Sequence, residues 1–131
     1  MFILNKTFTF EAAHKLPFHD GKCSRLHGHS WRLKVEISGK CLRDGGHKTC
    51  MLIYYGDIKT AVNPILEDYL DHHYLNDTTG LDSPTSELLA KWIYLKLQPV
   101  FDKLEVRLTA VEIEETCTSS CRFSPDSQAE A

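Results

Sequence analysis

The chain has 131 residues and a formal net charge of −3, enough for one domain with its own core and too little positive charge for a broad nucleic-acid surface. Hydrophobic residues make up 42% and charged residues 25%, the balance of a soluble globular protein rather than a disordered or membrane-spanning one. No apolar run approaches the ~20 residues that cross a bilayer, and Met1–Lys6 carries no secretory h-region, so a cytoplasmic protein with neither membrane nor nucleic-acid partners is expected.

Residues 3–14 read as a first strand. Phe8, Phe10, Ala12 and His14 share one parity against Thr7, Thr9 and Glu11. Pro17 and Asp20-Gly21 break the segment 15–22 into a loop. A second strand covers 27–38, with His27, His29, Trp31, Leu33, Val35 and Ile37 on one face and Ser30, Arg32, Lys34 and Glu36 on the other. Paired antiparallel with their apolar faces matched, the two strands bring His14, His27 and His29 together at one end. Three neutral imidazoles that leave a fourth position open form a catalytic zinc arrangement, whereas a structural site would be closed by four protein ligands. An isolated His-x-His has the plainer reading of satisfied polar residues.

Further on, 43–49 with Gly45-Gly46 reads as a loop and 51–55 as a short β-rich run. Ile58, Ala61, Val62, Ile65, Leu66, Tyr69 and Leu70 recur at helical spacing after Asp57, a candidate N-cap, with Pro64 expected to kink the helix. Residues 74–83 form a polar loop. Ser83-Pro84 looks like an N-cap with proline at the first helical position, and a second helix with Leu88, Leu89, Trp92, Ile93 and Leu97 ends near Pro99. A strand over 106–115 follows. Its apolar parity shifts between Leu108 and Val111, which points to a bulge or a later strand start. Residues 121–124 suggest a last short strand before a frayed tail at about 125–131. The order is that of a single α+β domain, an antiparallel sheet with two helices packed on one face.

The five cysteines are odd in number and expected to be reduced. A second, structural zinc on Cys41, Cys50, Cys117 and Cys121 suits the last spacing but not that of Cys41 to Cys50, and unligated thiols are the plainer expectation. Cys23 sits four residues before His27 and would serve as a base only where Lys22, Arg25 or a metal favours its thiolate. Otherwise it is a small half-buried thiol. In Asp71-His72 a carboxylate can fix and strengthen an imidazole, although such pairs at helix ends are often merely solvated. Glu115 shares the inward parity of Val111 and Ile113 and needs a partner, either an internal cation or a ligand with two parallel N–H donors. Thr85 and Ser86 open the second helix, as first-turn residues or as contacts to a polar ligand.

His14, Cys23-x-x-x-His27-Gly28-His29, Leu70-Asp71-His72, Pro84-Thr85-Ser86-Glu87 and Glu115-Thr116, spread over about residues 3–124, resemble the 6-pyruvoyltetrahydropterin synthase family, and more closely its bacterial branch, which makes 6-carboxytetrahydropterin for queuosine. The resemblance implies the tunnelling fold, in which sheets join edge to edge into trimers and stacked hexamers. It also implies Zn2+ on His14, His27 and His29, proton transfer by Cys23 with Asp71 and His72, and a pterin triphosphate held by Glu115, Thr85 and Ser86. It selects His72 over His73 for the relay. Lys15, Lys22, Arg25 and Arg32 are candidates for the triphosphate. The chain departs from the family pattern at Tyr54-Tyr55, where members often carry an aspartate before an aromatic residue. Two other functions stay open: a pyruvoyl-forming synthase, and a non-catalytic pterin-binding module in which Cys23 closes the zinc site.

Overall fold

The computed structural model describes residues 1–125, so the expected tail from 126 onward lies outside the described residues. Strands β1 (Phe2–His14) and β2 (His27–Gly39) pair antiparallel over their whole length, with Phe10 opposite Trp31, Ala12 opposite His29 and His14 opposite His27. Alternation sends Phe8, Phe10 and Ala12 of β1 and Trp31, Leu33, Val35 and Ile37 of β2 into the core. The opposite face carries Arg32 and Lys34. These pair with Glu114 at 3.0 Å and Glu112 at 3.4 Å on β4 (Arg107–Thr116).

The sheet order is β3-β1-β2-β4-β5, where β3 is His73–Tyr74 and β5 is Ser119–Phe123. The sheet is therefore mixed rather than wholly antiparallel, because β3 joins the free edge of β1 in parallel. The parity shift in the fourth strand is a bulge and not a later strand start. Thr109 is the extra residue between the Leu108–Ile37 and Ala110–Glu36 pairs, and its hydroxyl meets that of Ser38. It lets Leu108, Val111 and Ile113 all face inward despite their parities.

Helices α1 (Tyr55–Ile65), α2 (Leu75–Thr79) and α3 (Ser86–Lys103) occupy the connection between β2 and β4. Ile58, Val62, Leu89, Ile93, Leu97 and Phe101 of α1 and α3 bury one helical stripe against the apolar face of the sheet. The run 51–55 is not a strand. Leu52 and Ile53 are buried as an irregular entry to α1, their apolar side chains filling the core edge. Asp57 is a first-turn residue, not the N-cap; the N-cap position is Tyr54, which makes no side-chain cap. Lys48 bonds Asp57 at 2.7 Å and lies 5.2 Å over the Tyr54 ring.

Pro64 removes the N–H that would bond the Thr60 carbonyl. Just beyond it the helix widens into a π turn, Leu66–Leu70, closed by Asp71 N–H to Leu66 O at 2.7 Å. Helix α3 does not stop at Pro99. Leu97 and Phe101 on either side are fully buried and hold the helix together, while the carbonyl freed by proline belongs to the exposed Leu95.

Candidate metal centre

The register of β1 and β2 places His14, His27 and His29 at the same end of the sheet, each on its core-facing side. One ring nitrogen from each lies within 4.8 Å of the others. The Nε2 atoms of His14 and His29 are 3.2 Å apart, close to the spacing of two nitrogens bound to one tetrahedral ion with bonds of ~2.0–2.1 Å. The Nδ1 of His14 donates to the Pro84 carbonyl at 2.9 Å, and that of His27 to the Arg25 carbonyl at 2.7 Å. A carbonyl can only accept. The proton is thereby fixed on Nδ1 and both Nε2 lone pairs are presented inward. Burial pushes the pKa of His14 below 6.5, helped by the neighbouring imidazoles and opposed by Glu115 and the Pro84 bond; burial lowers His29 as well. Held neutral, these rings are suited to ligate rather than to carry charge. The donor set fits a metal ion.

Among the described residues this is the one group of three or more His, Cys, Asp or Glu side chains that converge this way. Cys41, Cys50 and Cys117 are exposed, Cys121 is half-buried, and no second cluster assembles from them.

Around the triad the chain builds a wall. Trp31 stacks on Phe10, presents its ring edge-on to His14 and His29, and donates Nε1–H to the Ala12 carbonyl at 3.1 Å. Glu115 is the extra residue of a second bulge, between the Glu114–Ser120 and Thr116–Ser119 pairs. The bulge aims its carboxylate at the metal end. Its oxygens lie 3.9 Å from Nε2 of His14 and 3.9 Å from Nε2 of His29, and one accepts a hydrogen bond from Ser86 Oγ at 3.3 Å.

The entry to α3 differs from the expected Ser83-Pro84 cap. Thr85 is the N-cap, and its hydroxyl accepts Leu88 N–H at 3.2 Å. Proline at 84 instead sits buried just outside the helix, with its carbonyl free for His14. Asn76 was not singled out by sequence. Its side chain bonds both the N–H and the carbonyl of Lys15, at 2.9 and 2.8 Å, and so fixes the residue that follows the first ligand.

Cys23 lies half-buried on a single 3-10 turn, Lys22–Ser24, whose backbone bonds Leu16 N–H. Asp71 and His72 meet as a pair, Oδ2 to Nδ1 at 3.0 Å. The other Asp71 oxygen accepts Glu11 N–H at 2.9 Å, which with the His72 bond holds its carboxyl below its usual range. His72 has φ of 62° and donates its own N–H to Glu11 O at 2.6 Å; a non-glycine residue in that conformation is strained and is often held so at functional sites. The pair sits on the outer edge of β1, with His72 exposed in an open cavity of about 540 Å³ that also takes in Glu11, Gly28 and Ser30. Among the described residues no hydrogen bond joins it to Cys23.

Fold and site define an α+β protein whose sheet ends in a partly buried histidine triad able to hold a metal ion. The chain belongs to the 6-pyruvoyl tetrahydropterin synthase family, whose profile matches residues 3–126. It is 48% identical to 6-carboxy-5,6,7,8-tetrahydropterin synthase of Synechocystis sp. over 95% of each chain. With the enzyme of that name from Haemophilus influenzae it shares 34% identity, over 94% of this chain and 99% of the other. The structure of Caenorhabditis elegans 6-pyruvoyl tetrahydropterin synthase superposes with a TM-score of 0.79 at 26% identity, covering 95% of this chain and 96% of that one. The fold is the tunnelling fold expected from the resemblance.

Proposed function

We propose that the protein is a zinc-dependent lyase that converts 7,8-dihydroneopterin triphosphate to 6-carboxy-5,6,7,8-tetrahydropterin, acetaldehyde and triphosphate, the step used in queuosine biosynthesis. The observation that carries this reading is the convergence of His14, His27 and His29 beside Glu115, in a chain whose relatives bear that enzyme name. Zinc, when bound by the three Nε2 atoms, would supply Lewis-acid polarisation of a substrate side-chain oxygen.

The remaining work falls to side chains. Glu115 is 27% exposed, open enough to accept two parallel N–H donors from a pterin's guanidine-like edge, with Ser86 steadying one oxygen. Thr85 helps indirectly, by capping the helix that carries Ser86. Cys23 is the base that takes a proton beside the pterin ring, and Asp71-His72 is the pair that tunes it. Because the pair faces outward on the sheet edge, it serves Cys23 of an adjoining copy, in a trimer or a dimer of trimers. The chain is cytoplasmic in this reading; among the described residues no helix is long and apolar enough to cross a membrane.

Incubation of zinc-loaded protein with 7,8-dihydroneopterin triphosphate, followed by mass analysis of the pterins and an acetaldehyde assay, tests the proposal. A carboxylated tetrahydropterin with acetaldehyde supports it. A pyruvoyl product would move the chain to the other synthase, and no turnover with a filled metal site would leave a binding module.

A further inference from the structure

About 40 Å from the triad, measured along the 13 residues of β2 at 3.3 Å each, the chain forms a second, open cavity of about 780 Å³. It lies between the end of β2, the start of β4 and the turn that follows α3. Five charged residues line it: Lys40, Arg43, Lys103 and Arg107 against Glu105. Asp44 and Asp102, the nearest acids in sequence, do not. A net positive cavity in a chain of net charge −3 is a local concentration of field.

Ion pairing elsewhere makes the contrast plain. Arg32, Lys34, Lys48 and Arg122 each have a carboxylate within 3.4 Å, whereas among the described residues none of the four cavity cations has one within 4 Å. Four like charges against the single carboxylate of Glu105 leave a net repulsion that an anion relieves. Three of the four are also presented by fixed backbone. Arg43 is held by bonds from its N–H to Met51 O at 2.9 Å and from Cys50 N–H to its own carbonyl at 2.8 Å. The turn between Lys103 and Arg107 is closed by Glu105 N–H to Asp102 O at 3.0 Å and Val106 N–H to Phe101 O at 3.3 Å. Between the cations lie Leu42, Leu52, Leu104 and Val106, an apolar surface on which a flat ring can rest. The volume falls in the range of small-molecule sites.

We propose that this cavity binds a phosphorylated heteroaromatic of nucleotide type, with phosphates on the four cations and the ring on the leucine–valine surface. It is a site separate from the metal end, and its occupancy does not depend on the triad.

ATP serves as the probe, in equilibrium dialysis against the zinc-loaded protein at low salt. The proposal expects saturable binding that inorganic tripolyphosphate displaces and added salt weakens. Arg43→Gln with Arg107→Gln should weaken it by about tenfold or more, since each removes a charge-assisted contact. Lys40→Gln with Lys103→Gln should do the same and stands in if the first pair misfolds. His27→Ala should leave ATP binding unchanged. No binding by the wild type, charge variants that bind ATP as the wild type does, tripolyphosphate that fails to compete, or loss of binding in His27→Ala would each overturn the proposal.

Discussion

At His14 the sequence parity, the burial and the chemistry meet. Its place on the inward face could be read from Phe8, Phe10 and Ala12, and the pairing of β1 with β2 delivered the triad as expected. The groups that orient it could not be read, because the carbonyls of Pro84 and Arg25 leave no trace in residue type. Burial keeps the pKa of His14 and His29 below 6.5, so between 6.5 and those lowered values the folded metal-free chain binds fewer protons than the unfolded one. Stability of the metal-free protein is therefore full above pH 6.5 and falls as the pH descends below it. Urea midpoints at pH 8 and pH 5 should show the drop, and a flat or rising trend would contradict it. For the two residues expected to act on substrate, opposite signatures follow. Cys23→Ala should keep zinc and substrate binding yet lose on the order of 10²–10⁴ in rate. Glu115→Ala should keep zinc but weaken substrate binding by about 2–5 kcal/mol. Zinc content, dissociation constant and single-turnover rate on both variants read the difference; loss of zinc from Cys23→Ala would make the thiol a fourth ligand.

Element boundaries were less legible than element identities. The amphipathic stripes of α1 and α3 stood out, but their ends depended on competition that residue patterns do not resolve. Ser83-Pro84 looked like a helix start, yet Thr85 has the extended backbone and the hydroxyl that meets Leu88 N–H. Pro99 looked like a stop, and buried Leu97 and Phe101 overrode it. The run 51–55 has strand-forming residues, yet Leu52 and Ile53 fill the core edge ahead of α1 without joining the sheet. The bulge at Thr109 was visible because inward residues must change parity there, whereas that at Glu115 left the inward sequence parity intact and showed only in the pairing with β5. The start of α3 ties helix to site through three adjacent residues: the Pro84 carbonyl on His14, the Thr85 cap, and Ser86 on Glu115. Thr85→Ala should cost about 1 kcal/mol of stability in urea titration. An unchanged midpoint would mean that Leu88 N–H finds another acceptor at no loss.

For the whole molecule, one sheet face is covered by helices and the other carries the paired charges of Arg32, Lys34, Glu112 and Glu114, with β3 and β5 at the two open edges. Open edges call for partners, and Asp71-His72 stands on one of them. If the relay is completed between copies, Cys23→Ala and His72→Ala proteins, each inactive alone, should regain part of their activity when co-assembled. Mixtures as inactive as their components would place all three groups in one subunit. The central claim is that the three histidines hold the ion on which turnover depends. It is tested most directly by measuring zinc per chain and turnover of dihydroneopterin triphosphate together, in the wild type and in His27→Ala and His29→Ala. The wild type should hold one zinc per chain and turn over; both variants should lose metal and activity together while keeping a folded sheet, since the core closes without the ion. Full zinc occupancy with normal turnover in the two variants would contradict the account.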